Sequence, residues 1–257
     1  MADKDRYLIN SVLRAFRLLE TFSHEHPRYS HKDLAGLLGI NKSSLTRLLN
    51  TLIAAGYLAK DGKTGEYLLS PKILRIGGVY LGQMEIHQTA RPILTELAEA
   101  VGETAHLGVL DDYSVLYIDK IDTQRSVGMK SYVGRRLPAY SSALGKNLLA
   151  WLDPEELEEY LSSTELKPFT ANTITDPDRL REHLKQVRKQ GFALDDQENE
   201  EHLFCVSAPV FDMDGKMVAA ISTAAPYFRI DSPEAQQRCI KAVKEAAEKI
   251  SQGLGHN

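Results

Sequence analysis

Leu38-Gly39-Ile40-Asn41 separates two short segments that each carry a leucine stripe, and this spacer constrains the fold more than anything else in the chain. Glycine admits the left-handed backbone that turns one helix across the next, and asparagine is a strong helix N-cap, so the spacer reads as the turn of a helix-turn-helix. Upstream, Ser30 with Asp33 three residues later makes a capping-box pattern, and Leu34, Leu37 and Leu38 form the apolar stripe of a short helix ended by Gly39. Downstream, Leu45, Leu48, Leu49, Leu52 and Ile53 recur at three- and four-residue steps and turn Lys42, Ser43, Ser44, Thr46, Arg47 and Asn50 to the opposite side. An earlier helix over residues 9–23 is expected to bury Val12, Ala15, Phe16, Leu19 and Phe22, before a break at His26-Pro27.

The outward face of the third helix is chemically unusual. A solvated helix face usually mixes Glu and Lys in spaced pairs, yet no acid occurs between Asn41 and Ala59. Small hydroxyls with Arg47 can lie against phosphates and base edges without repulsion. Residues 57–59 and 66–69 then read as two short strands around Asp61-Gly62-Lys63-Thr64-Gly65, a hairpin with basic Lys63 at its tip and hence a wing. Charge follows the same division. Residues 1–70 hold ten Lys/Arg against seven Asp/Glu, which leaves 21 against 28 for the rest, although the whole chain nets only -4. A polyanion would therefore meet the N-terminal part.

Pro71 can start a helix that continues to about Val101, with Gly77-Gly78 and Pro92 as candidate breaks; its apolar positions make it a natural connector and dimer contact. Beyond Gly102, strands are expected at residues 104–110, 115–120, 126–133, 205–211 and 217–223, and helices at 142–152, 153–161, 178–191 and from Ser232 onward. This is an α+β pattern, with domains at residues 1–70, a linker helix at 71–84 and a larger domain at 85–257. The first ten residues carry Asp3, Lys4, Asp5 and Arg6 and no apolar run, and no segment approaches the roughly 18 apolar residues of a membrane helix, so a cytoplasmic protein is expected.

Most candidate chemistry fails on inspection. Gly145-Lys146-Asn147 resembles the end of a phosphate loop, but Tyr140 stands where its first glycine belongs and Asn147 where the metal-binding hydroxyl belongs. Asp212-Met213-Asp214-Gly215 opens like a calcium loop and continues without oxygen ligands, so a turn explains it. The two cysteines, Cys205 and Cys239, and the eight histidines show no metal-ligand spacing, and His106 on a strand reads as a core residue. No metal and no cofactor is expected. What remains is the run Arg135 to Lys146, where a loop enters a helix through Ser141 and Ser142; free amides at that helix start attract a carboxylate, and the serines either add donors or simply cap the helix.

Leu45-Thr46-Arg47-Leu48-Leu49 with Ala55-Gly56-Tyr57-Leu58, the segment Ser142-Ala143-Leu144-Gly145-Lys146, and Gly191-Phe192-Ala193-Leu194-Asp195-Asp196 leading to Cys205-Val206-Ser207-Ala208-Pro209-Val210-Phe211-Asp212 together resemble the isocitrate lyase regulator (IclR) family of bacterial transcription factors. The resemblance spans nearly the whole chain. It implies a winged helix-turn-helix, a linker helix and a GAF-like effector domain with a curved antiparallel sheet flanked by helices, assembled as a homodimer or homotetramer on double-stranded operator DNA. It further implies a pocket for a small organic acid lined by Ser141, Ser142, Ala143, Leu144 and Gly145, with Asp195, Cys205 and Ser222 on facing strands.

Members that bind small keto acids place a second serine two residues beyond the one matching Ser222, where this chain has Ala224. Residues 106–108, 117–122 and 134–151 are most similar to the branch that senses 2-keto-3-deoxygluconate, so a repressor released by a keto sugar acid is expected. A regulator of aromatic-acid or of glyoxylate and pyruvate metabolism remains open. The competing class is an enzyme with Cys205 as nucleophile, but the apolar flank Leu203-Phe204-Cys205-Val206 suggests a buried, protonated thiol.

Overall fold

The computed structural model describes residues 8–256, so the charges counted at Asp3, Lys4, Asp5 and Arg6 lie outside them. The chain divides into two compact units, with the boundary in sequence between Leu81 and Gly82.

The first unit runs α1 (Asn10–Glu20), α2 (His31–Leu38), α3 (Lys42–Ala54), β1 (Leu58–Lys60), β2 (Tyr67–Leu69) and most of α4 (Lys72–Gln83). Each cap anticipated from sequence forms: Ser30 and Asp33 exchange the two bonds of a capping box, Gly39 takes φ 62°, and the Asn41 side chain accepts from the Ser44 amide. Leu18, Leu34, Leu45, Leu49, Leu52, Leu58 and Tyr67 make the core. Two stripe assignments need correction. On α1 the buried stripe is turned toward Leu18 and Phe22, and Val12 and Phe16 on the adjacent stripe are 45% and 56% exposed, outside the core that the described residues of this unit build. On the eight-residue α2 only Leu34 is fully enclosed, and Leu37 is exposed. β1 and β2 pair antiparallel, and Tyr29 bridges to Tyr67 to add a third strand segment to the wing.

The expected helix over residues 71–101 is two helices. Met84, at φ -86° and ψ 102°, separates α4 from α5 (Glu85–Val101), and neither Gly77-Gly78 nor Pro92 ends a helix. Pro92 is tolerated because it and Gln88, whose carbonyl loses its amide partner, both face solvent.

The second unit continues with β3 (Thr104–Asp111), β4 (Ser114–Ile121), β5 (Arg136–Pro138), α6 (Ala143–Ala150), α7 (Pro154–Ser163), α8 (Pro177–Gln190), β6 (Ala193–Asp196), β7 (Leu203–Phe211), β8 (Met217–Pro226) and α9 (Pro233–Gly253). Its six strands form one antiparallel sheet in the order β5-β4-β3-β8-β7-β6. α5 and α9 cover one face, and α6 crosses the other with α8 packed on it. The strand expected at residues 126–133 does not form; the edge strand is β5, ten residues further on. Carbonyls in that segment are taken by side chains instead, Lys130 O by Arg135 and Ser131 O by Lys120, so it runs as an ordered loop.

Candidate functional site

Lys42, Ser43, Thr46, Arg47 and Asn50 are exposed on one side of α3 and Ser44 is half-buried beside them. Two of these side chains are partly committed. Thr46 Oγ1 donates to Lys42 O at 2.8 Å and lies 3.0 Å from His31 Nε2, while the Ser43 hydroxyl donates to Asn41 Oδ1 at 2.9 Å. Lys42 and Arg47 make no ion pair among the described residues and are exposed, so both are open to an outside partner. In the wing, Asp61 Oδ1 accepts from the Lys63 and Thr64 amides, and Arg28 binds its other oxygen at 2.6 Å. These bonds hold the Asp61 carboxyl below its usual range, backbone donation from Lys63 contributing most. The turn thus keeps its carboxylate ion-paired with Arg28 and presents exposed Lys63. Arg28 and His31 were not singled out from sequence, since lone cations in a loop and a helix start carry no pattern.

The effector-side residues come together around the start of α6. Strand register sets Asp195 opposite Cys205 and Cys205 opposite Ala224; one pair further along, Ser222 stands between Ser207 and His106. Thr223, between Ser222 and Ala224, reaches Cys239 on α9 from the other side of the sheet. Side chains alternate along a strand, so Asp195, Cys205, Ser222 and Ala224 share the α6 face. Ala143 packs directly on Cys205 and Ala224, with Met129 of the 122–135 loop against the same cluster.

Ser142 caps α6: its oxygen accepts from the Gly145 amide and its hydroxyl donates to Pro138 O, both at 3.2 Å. Ser141 donates to Asn199 Oδ1 at 3.0 Å. Both serines are therefore engaged within the protein, which leaves the Ala143 and Leu144 amides as the orphan donors of the first turn. Gly145 is obligatory, because a Cβ there would stand 2.2 Å from Ala139 O.

Electrostatically the site is nearly neutral. Burial raises the Asp195 carboxyl to about 7, against donation from the Glu198 and Asn199 amides and the attraction of Lys146. Lys146, completely buried, is paired with Glu198, whose own carboxyl burial also pushes up. His106, stacked on Tyr117 at 4.6 Å, is lowered to about 3 by burial and is a neutral imidazole. The buried Cys205 thiol is pushed well above its ordinary value, first by burial and then by Asp195, so it is not a nucleophile. Lys146, Glu198 and Asn199 carry no local signal of a pocket role: Lys146 stands in a segment that fails as a phosphate loop and that carries the family resemblance, and Glu198 and Asn199 follow a strand end without any motif. Among the described residues no group of three His, Cys, Asp or Glu is placed to hold a metal, and no helix is long and apolar enough to cross a membrane.

Comparison with known proteins agrees with this arrangement. Residues 11–62 match the IclR helix-turn-helix domain and residues 78–252 match the bacterial transcriptional regulator IclR C-terminal domain. The chain is 37% identical over 255 residues to the HTH-type transcriptional regulator KdgR of Escherichia coli K12, covering 99% of this chain and 96% of that protein. It is 36% identical to XynR of the same strain, covering 97% and 98%. Among solved structures, the Thermotoga maritima IclR superposes with a TM-score of 0.79 at 32% identity over 96% of this chain and 99% of that one. An IclR homolog from Microbacterium hydrocarbonoxydans complexed with 4-hydroxybenzoate gives 0.84 at 26% identity over 95% and 98%.

Proposed function

The chain belongs to the IclR family of bacterial transcriptional regulators and is a DNA-binding regulator that senses a small molecule; from that premise we propose a repressor whose operator binding is controlled by a small organic acid, in the keto sugar acid class of 2-keto-3-deoxygluconate. It works in the cytoplasm, and the relatives it resembles are regulators rather than enzymes.

In this reading residues 1–70 form the DNA-binding domain, 71–84 the linker helix and 85–257 the effector and oligomerisation domain. Arg47, with Ser43, Ser44, Thr46 and Asn50, enters the major groove, and Lys42 and Lys63 meet phosphates. A single winged helix covers too little DNA for high selectivity, so a homodimer or homotetramer reads an inverted repeat. The exposed apolar residues Val12, Leu13 and Phe16 of α1 and Leu74, Val79 and Tyr80 of α4 suit burial against a second copy.

The effector's carboxylate takes the Ala143 and Leu144 amides at the α6 N-terminus, where Ser141, Ser142 and Gly145 shape the turn, and its hydroxyls meet Asp195, Cys205 and Ser222. The observation that carries this is the buried Asp195 beside a helix start, its Oδ1 bonded to the Glu198 and Asn199 amides: with its carboxyl raised by burial to about 7, it can accept from or donate to alcohols. An aromatic acid is the second reading, favoured by the 4-hydroxybenzoate complex of the Microbacterium homolog.

The test is a footprint of the upstream DNA together with calorimetry of the protein against sugar acids, short keto acids and aromatic acids. Two half-sites should be protected, and Arg47→Ala should lose about 1–3 kcal/mol of specific binding at matched salt. Equal affinity of variant and parent would remove the assignment of α3, and binding of aromatic acids alone would overturn the ligand class.

A further inference from the structure

Buried polar atoms in folded proteins nearly always find a partner, because one left unpaired forfeits its hydration with nothing in return. On the α6-facing side of the sheet this chain leaves several together: Thr104 Oγ1, His106 Nδ1, Ser207 Oγ and both amide atoms of Asn147 are buried without a hydrogen bond. They are neighbours by construction. Ser207, Ser222 and His106 stand side by side on β7, β8 and β3, and Thr104 follows two residues from His106 on the same face.

Asn147 is brought over this row by the course of α6. Ala143 rests on Cys205, and the ring of Trp151, two turns on, meets that of Phe211 at 4.7 Å, so the helix advances in the same direction as β7. Four helix residues rise about 6 Å and two strand residues span about 6.7 Å, which carries Asn147 from the level of Cys205 to that of Ser207. Asn147, Ser207 and His106 therefore lie one pair along the sheet from Cys205 and the α6 start, at the level of Ser222, while Thr104 stays at the level of Ala224.

We propose that Asn147, Ser207 and the Nδ1 edge of His106 form a second recognition row that hydrogen-bonds the hydroxylated tail of the effector and so selects a polyhydroxylated acid over a short keto acid. The inference rests on the effector reading given above and extends it: Ser222, already part of that reading, stands between Ser207 and His106, and the row adds the unpaired groups on either side of it. All three groups are uncharged, and each can donate or accept, which suits alcohols and gives a second carboxylate no counter-charge. His106 is held by Ser131, 2.8 Å from Nε2, and by the ring of Tyr117, which fixes the ring while Nδ1 stays buried and unpaired. The energetic logic is that of a site built to pair with hydroxyls: a ligand lacking them leaves the protein's buried groups unpaired.

The experiment is calorimetry of the full chain with 2-keto-3-deoxygluconate and with pyruvate, which share a keto acid head and differ in the hydroxylated tail. Ser207→Ala and Asn147→Leu should each weaken the long acid about fivefold or more, one hydrogen bond's worth. Pyruvate binding, where the parent shows it, should stay within about twofold, and the ligand-free melting temperature should hold or rise because unpaired groups are removed. Ser207→Ala removes a single atom and serves if Asn147→Leu fails to fold. If the parent binds the long acid and both variants bind it equally well, the row is wrong and the effector reading stands. If both acids weaken together, or the variants melt lower, the row is merely structural and the proposal falls. If the parent binds pyruvate but not the long acid, tail recognition fails while the organic acid site survives; if it binds neither, the effector reading fails and takes this inference with it.

Discussion

Asp195→Asn isolates the one carboxyl whose environment most departs from water. In the folded chain that group titrates near 7, against 3.8 for an ordinary aspartate, and the leading cause is burial rather than a neighbouring charge. A raised acid stabilises the folded state fully below about 4 and loses that contribution as pH rises through 7, because the unfolded chain ionises first. The whole linkage is worth about 4 kcal/mol, of which roughly 2–3 kcal/mol falls between pH 5 and pH 8. Asparagine keeps an oxygen for the Glu198 and Asn199 amides that Asp195 Oδ1 now accepts at 2.8 and 3.2 Å, and it has nothing to titrate.

The variant should therefore lose a smaller share of its stability than the parent over that interval and overtake it at the alkaline end. Glu198 and Lys146 also lie in this cluster, and Glu198 is raised too, so the parent alone cannot apportion the slope; the difference between parent and variant can. Urea titrations at pH 5, 6, 7 and 8 followed by Trp151 fluorescence suit the question, since that residue is the chain's single tryptophan and sits at the end of α6. Parallel pH curves for parent and variant would show that the carboxyl is solvated and ionised in the native state, and the half-protonated effector contact would go with it.

Two further outcomes are expected. Gly145→Ala places a methyl on the Ala139 backbone, which has no flexible end to yield, and should cost about 3 kcal/mol or more, read as a fall in the Trp151 unfolding midpoint; a variant as stable as the parent would contradict the packing of α6. Both cysteines are buried with raised thiols, so a disulfide reagent at pH 8 should label neither until the protein unfolds, and rapid labelling of Cys205 in the native state would reopen the nucleophile reading.

How much of this was legible beforehand depends on the range of the interactions involved. Ser30, Gly39, Asn41 and Ser232 act on amides or turns within a few residues, and each does what its local pattern announces. The outward row of α3 was equally plain, because the absence of acids is a property of one helix. Val12 and Phe16 misled because an apolar periodicity shows that a stripe is wanted, not which neighbour covers it. Residues 126–133 have the residue types of a strand, yet Lys120 from β4 and Arg135 just downstream claim two of their carbonyls. The pairing of Lys146 with Glu198 joins positions 52 residues apart, and the unpaired buried groups of Asn147 and Ser207 stand on separate elements, so neither leaves a local trace.

The strand order also bears on how such a chain is made. β3 lies between β4 and β8, and Thr104 pairs with Ala224 across about 120 residues of chain. The winged-helix unit closes on contacts within its own first 81 residues. During synthesis, then, the DNA-reading part can be complete on the ribosome while the sensor sheet still waits for its central partner strand. A nascent or truncated chain cut before β8 would carry a finished operator-binding surface with no means of answering the effector.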